Sequence, residues 1–177
     1  MDIRFLTSDD ANEWSRLRLQ ALQGDPEAFS SSVEEHQILT SEDVARRIAS
    51  ETGDSFVAGA FDAGRLTGMA GFFREKGPKL RHKGHIWGVY LAPEYRGKGV
   101  GRKLLETVLK RATAIQGLEL VLISVASTQT TAISLYRSLG FARFGVDPRA
   151  LKVNGRLIDE EHMFMANYPS IHLKSVT

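Results

Sequence analysis

Arg96-Gly97-Lys98-Gly99-Val100-Gly101 decides the reading of this chain: three glycines alternate with Lys98 and Val100 between a strand pattern and a long amphipathic helix pattern. Upstream, His85 to Leu91 is rich in Ile, Trp, Val and Tyr and reads as a strand. Downstream, Val100, Leu104, Leu105, Val108, Leu109, Ala112 and Ile115 recur at helical spacing, and Gly117 ends the run. The first N–H groups of a helix have no partner within it, and together with the helix dipole they form an anion site. Glycine removes the Cβ atoms that would hold a phosphate away from those amides. Arg96, Lys98, Arg102 and Lys103 add positive charge around the turn. Glycines also serve simply to make a tight connection, but here strand, helix and basic residues coincide. Two familiar phosphate loops fail on spacing. Counted from Gly97, a P-loop needs its second glycine where Arg102 stands. A dinucleotide fingerprint needs its third glycine there too, and would follow the first strand of a βαβ unit.

Working outward, Ser55 to Phe61 and Leu66 to Phe73 read as two more strands joined by Asp62-Ala63-Gly64-Arg65, making a meander with His85 to Leu91. Before it, Met1 to Leu6 reads as a short strand, and Thr7 to Asp10 offers a helix cap. Trp14, Leu17, Arg18, Ala21 and Leu22 then fall at helical spacing until Asp25-Pro26. Ala28 to Leu39 lacks periodicity and reads as a loop, and Thr40 to Asp43 caps a second helix ending near Gly53. After the glycine turn, Leu118 to Val125 is a nearly continuous apolar strand, as expected of one covered on both faces. Ala132, Ile133, Leu135, Tyr136 and Leu139 make a further helix, stopped by Gly140 and Phe141. Phe141 to Ala166 alternates around Asn154-Gly155, a hairpin signal, and the tail from Asn167 is expected to fray.

The chain has 177 residues, 42% apolar and 25% charged, which fits one domain (residues 1–167) with a flexible tail (168–177). Net charge is +2, so any anion site is local, and no general pull toward nucleic acid or membrane is expected. Cysteine is absent, which excludes disulfides and thiolate chemistry. Charged residues near the N-terminus and the lack of a long apolar run make a cytoplasmic protein the default.

Val89-Tyr90-Leu91-Ala92-Pro93-Glu94-Tyr95-Arg96-Gly97-Lys98-Gly99-Val100-Gly101 resembles the coenzyme A signature of the GNAT superfamily of N-acetyltransferases, whose core is Arg/Gln-x-x-Gly-x-Gly/Ala. Gln129-x-x-Ala132-x-x-Leu135-Tyr136-x-x-x-Gly140-Phe141 is similar to its second signature, with Gln129 where the family usually has Asn. The resemblance runs from about Ile3 to Met165 in element order. It implies an α/β (mixed α+β) fold: a single, mostly antiparallel mixed sheet of about seven strands with helices on both faces. It implies acetyl-CoA as co-substrate, with no metal. Gly97, Lys98, Gly99, Val100, Gly101 and Arg102, entered from Arg96, would wrap the pyrophosphate. The main chain of Val89, Tyr90 and Leu91 would pair with the pantetheine arm and acetyl carbonyl, Gln129 would contact that arm, and Tyr136 would protonate the departing thiolate. A strand with free main-chain groups can bind an amide-rich arm as if adding a strand. An N–H aimed at the thioester oxygen stabilises an oxyanion.

For the general base the candidates are His85, then His162 and Glu161, with a water chain as the alternative. The position where some family members carry Glu is Ser124. By the resemblance, the acceptor lies between Pro26 to Gln37, with Glu27, Glu34 and Glu35, and Val146 to Ile158. The expected reaction is direct acetyl transfer in a ternary complex to a primary amine of a small molecule or peptide, by a monomer or homodimer. Two other classes stay open: an acyl-CoA-binding sensor or pseudoenzyme, and a nucleotide-binding regulator.

Overall fold

The computed structural model describes residues 1–49 and 53–167. The expected tail at 168–177 and the region before Gly53 where the second helix was to end lie outside or partly outside them. Seven strands form one sheet in the order β1-β2-β3-β4-β5-β7-β6. They are β1 Asp2–Phe5, β2 Ser55–Asp62, β3 Arg65–Arg74, β4 Lys83–Leu91, β5 Leu120–Ala126, β6 Ala142–Val153 and β7 Arg156–Ala166. All neighbours are antiparallel except β4 and β5. Among the described residues five α-helices accompany them: α1 Ala11–Gly24, α2 Val33–Gln37, α3 Ser41–Ile48, α4 Val100–Thr113 and α5 Thr130–Ser138. The mixed seven-stranded fold is the one the motifs implied. Among the described residues no helix is long and apolar enough to cross a membrane.

Each face of the sheet has its own core. On one, α4 buries Val100, Leu104, Leu105, Val108, Leu109 and Ala112, and the cluster extends through Phe72, Ile86, Val121 and Ile123 to Ile133 and Tyr136 of α5. On the other, Trp14, Leu17, Ala21 and Leu22 of α1 and Val44 and Ile48 of α3 pack on Val57, Leu66, Met69 and Tyr90. Each such Leu or Ile contributes roughly 1.5–3 kcal/mol by leaving water. Both hairpin turns have the positive φ values their Gly-containing sequences predict: Ala63 and Gly64 at 45° and 82°, Asn154 and Gly155 at 49° and 81°.

Three expectations need correction. The stretch Ala28 to Leu39 contains α2, opened by a reciprocal capping box between Ser32 and Glu35. Asn167 is pinned rather than frayed: its N–H donates to Glu119 O at 2.7 Å and its side-chain amide to Thr113 O and Leu118 O. Strand β5 is fully covered on one face and only partly on the other, where Leu120 and Leu122 are half-buried. Val121, Ile123 and Val125 are buried under α4 and α5, whereas Ser124 on the other face is exposed. The exposure marks a fork in the sheet.

Candidate active site

The fork begins where β4 and β5 part. They pair only as Lys83↔Leu120, Gly84↔Val121 and His85↔Leu122, and beyond His85 the two strands are no longer hydrogen-bonded to each other. A β-bulge helps to bend β4 away. Met69 faces Tyr90 and Gly71 faces Trp87, so Gly88 and Val89 together oppose Ala70. Gly88 takes the left-handed φ of 62° that such a bulge requires. The extra residue also reverses the alternation of side chains. Trp87 and Tyr90 both join the core under α1, while Val89 packs with the core under α4. Gly71 makes room for Trp87, since a Cβ there would lie 2.3 Å from the indole.

Two clefts open from the fork. The smaller, of about 440 Å³, lies between β4 and β5 and is lined by Val89, Tyr90 and Leu91, by Arg96, Gly97, Gly99, Gly101 and Arg102, and by Gln129 and Tyr136. The larger, of about 1130 Å³, is walled by Arg18, Ala28 to Ser31, α3, the segment before β4, His85, Ser124 and Glu160. Phe29, Ile86, Trp87, Gly88 and Ser124 line both, so the clefts meet at the bulge.

In the smaller cleft the glycine turn presents main chain. Gly97 and Gly99 have φ of 73° and 77°, and Gly99 caps α4 with no side-chain acceptor. Among the described residues, the first main-chain N–H after Arg96 to donate to a carbonyl outside the ladder of α4 is that of Lys103, to Gly99 O at 3.2 Å. The amides before it are free for an anion. A Cβ on Gly101 would meet only Leu135 Cδ2, at 3.7 Å, so the protein itself does not demand glycine there. A ligand lying on that surface would.

The side chains around the turn are engaged elsewhere. Arg96 donates to Leu91 O at 2.8 Å and pairs with Asp25, tying the turn to the end of α1. Arg102 donates to Ser138 Oγ, joining α4 to α5. Lys98 leans toward the Tyr95 ring and Val100 is buried, so neither side chain lines the cleft. Tyr136 is buried on α5, 6.2 Å from the Phe141 ring. Burial raises its pKa above the ordinary phenol value, which keeps the hydroxyl protonated.

The larger cleft is built from side chains. His85 Nε2 lies 2.9 Å from Glu75 Oε1, its ring stacked on Phe73, and it lines the larger cleft but not the smaller. Ser124 Oγ lies 2.8 Å from His162 Nδ1 across the β5–β7 register. Glu161 is tied to Arg137 and Arg143. Glu160 lines the cleft, and burial pushes its carboxyl up, opposed by His162 and helped by Asp147. The acidic residues expected to attract an amine are occupied or absent from the walls. Glu27 pairs with Arg156 at 3.0 Å, which does join the two expected segments, and Glu35 caps α2. Of those segments, Ala28 to Ser31 line the cleft and Val146 to Ile158 do not.

Arg18 stands out. It is 5% exposed, its guanidinium lies 4.4 Å from the Phe29 ring centroid, and its Nη1 has no hydrogen-bond partner. Burial, then the charge of Arg47, lowers its pKa to about 10. An unmet charged donor costs about 1–3 kcal/mol or more.

Two clefts joined at a break in the sheet suit group transfer between molecules that approach from opposite faces, and the protein is an acyltransferase. It belongs to the acetyltransferase (GNAT) family, whose sequence pattern matches residues 16–141. It is 32% identical over 155 residues to the N-alpha-acetyltransferase RimI of Mycobacterium tuberculosis, covering 85% of this chain and 84% of that one. The GNAT-family acetyltransferase from Streptococcus pneumoniae shares the fold with a TM-score of 0.83 at 23% identity, over 93% of this chain and 98% of that one. The yncA protein of Salmonella typhimurium, solved with acetyl-CoA, shares it with a TM-score of 0.81 at 23% identity, over 99% and 98%.

Proposed function

We propose that the smaller cleft holds acetyl-CoA and that its acetyl group passes directly to a primary amine entering from the larger cleft. The observation that carries this is the fork itself: Phe29, Ile86, Trp87, Gly88 and Ser124 line both clefts, so a thioester threaded from one side meets an amine from the other. The free amides from Gly97 to Arg102 bind the pyrophosphate, and Gly101 lets it lie on the helix start. The open edge of β4 at Val89 to Leu91 pairs with the pantetheine arm, which Gln129 flanks. Acetyl-CoA in the yncA structure, on the same fold, supports this ligand.

The attacking nitrogen forms a bond to the acetyl carbon, the carbon–sulfur bond breaks, and the thiolate takes the proton of Tyr136. The nitrogen's surplus proton goes to Ser124 Oγ as that hydroxyl passes its own to His162 Nδ1. His85 is the poorer candidate for this role, because it lines only the larger cleft whereas Ser124 lines both. Transfer is direct, and the chain has no cysteine to offer a thiolate carrier. Thiol release from acetyl-CoA with a panel of amines tests the reading; stabilisation by ATP or NAD and not by acetyl-CoA would sink it.

A further inference from the structure

We propose that the acceptor carries a carboxylate next to its reacting amine, as a free amino acid does, and that Arg18 binds this carboxylate at the fork. The inference rests on the larger cleft being the acceptor side.

Arg18 is placed where a core residue belongs, on the face of α1 that buries Trp14, Leu17, Ala21 and Leu22. No carboxylate pairs with it among the described residues, and its Nη1 finds no acceptor in the protein. A buried guanidinium normally has such a partner, so the missing one is supplied from outside. Its position says from where. Nη1 lies 3.6 Å from the place a Cβ of Gly88 would occupy, against the bulged residue at which the two clefts meet. A group bound there lies beside Gly88, which lines both clefts.

The rest of the cleft agrees in sign. Six arginines and lysines line it against three carboxylates, and two of those are engaged: Asp54 by Arg74 and Arg81, and Glu75 by His85. Arg47, over the Trp87 ring at 4.7 Å, stands at the same rim with no carboxylate partner among the described residues. Across the fork, Ser124, His162 and Glu160 offer acceptors for an ammonium. Cationic on the α1 and α3 side, and accepting on the β5 and β7 side, the cleft matches a zwitterion. Carboxylate recognition by a planar guanidinium is bidentate and directional. A polyamine, an aminoglycoside or a protein N-terminus has no carboxylate beside its amine and leaves Nη1 unmet.

The test compares acid with amide. Thiol release from acetyl-CoA is measured with the twenty common L-amino acids, each against its primary carboxamide, and with spermidine, an aminoglycoside and a C-terminally amidated tetrapeptide. The amide's amine is less basic and more often unprotonated at neutral pH, so chemistry alone favours the amide. The expected result is at least one amino acid whose kcat/KM exceeds that of its amide about 30-fold or more, with the other amines poor. Arg18→Met is expected to lower kcat/KM for that acid about 30-fold, to leave its amide within about twofold, and to leave acetyl-CoA affinity unchanged. Equal use of acid and amide by the natural protein, which needs no variant to fold, overturns the proposal. So does efficient turnover of spermidine, the aminoglycoside or the peptide without the amino acids, and that outcome leaves acetyl transfer standing. No thiol release with any amine sinks the transfer reading and this proposal with it.

Discussion

The smaller cleft is proposed to hold its ligand by main-chain groups, and the larger one by side chains gathered from five places in the sequence. In the first, the groups proposed to face the ligand are the amides of Gly97 to Arg102 and the open edge of β4, and the arginines nearby serve the protein's own scaffold through Asp25, Leu91 and Ser138. In the second, Arg18, Arg47, His85, Ser124 and Glu160 come from α1, α3, β4, β5 and β7. On the proposed reading, the main-chain site binds what every substrate pair shares, the coenzyme. A side-chain site selects, and residues that line it alone, such as Arg18 and His85, can be changed without altering the lining of the first.

That division can be broken by substitution, and the largest effect is expected at Tyr136. Tyr136→Phe keeps the packing against Phe141 and removes the proton, so kcat is expected to fall about 100-fold or more, with acetyl-CoA affinity within about twofold by calorimetry. If kcat holds, Tyr136 is packing alone. Burial raises its pKa, so the protonated form persists above the ordinary phenol value of about 10. The kcat profile between about pH 8 and 10 should therefore show no alkaline fall from this group; a fall abolished by Tyr136→Phe would contradict the assignment.

Next comes Gly99→Val. A β-branched residue at φ of 77° is strained and crowds the anion site, so the Kd for acetyl-CoA is expected to rise about 30-fold or more by calorimetry. Unchanged affinity would move the pyrophosphate elsewhere. A smaller loss, about tenfold in kcat/KM, is expected of His162→Ala and of Ser124→Ala. Because the two act as one relay, the double variant should be little worse than either single one. Full additivity, or a larger loss in His85→Ala, would assign the proton to another group. Arg137→Ala is expected to change kcat/KM less than twofold, as it removes only an exposed ion pair with Glu161.

The same division explains what could be read from the chain alone. Main-chain sites need glycine at fixed places, and Gly97, Gly99 and Gly101 between a strand and a helix announce themselves; Tyr136 comes with its own motif. Helix α2 carried a signal as well, Ser32 with Glu35 three residues on, in a stretch with no apolar period to support it. The acceptor side left less. The partnership of Ser124 with His162 depends on the register of β5 with β7, which follows from packing and not from spacing. Exposure of Ser124 follows from the fork, which an apolar strand sequence does not show. Arg18 gave the one usable sign, a charge at helical spacing within the buried face of α1, and its meaning needed the missing partner to be seen.

The assignment of the two clefts is tested most directly by amide hydrogen exchange with and without acetyl-CoA. Exchange is expected to slow at Gly97 to Lys103 and at Val89 to Leu91, with α3 and the segment 75–81 unchanged. Slowing at α3 and 75–81, with none at Gly97 to Lys103, would contradict it.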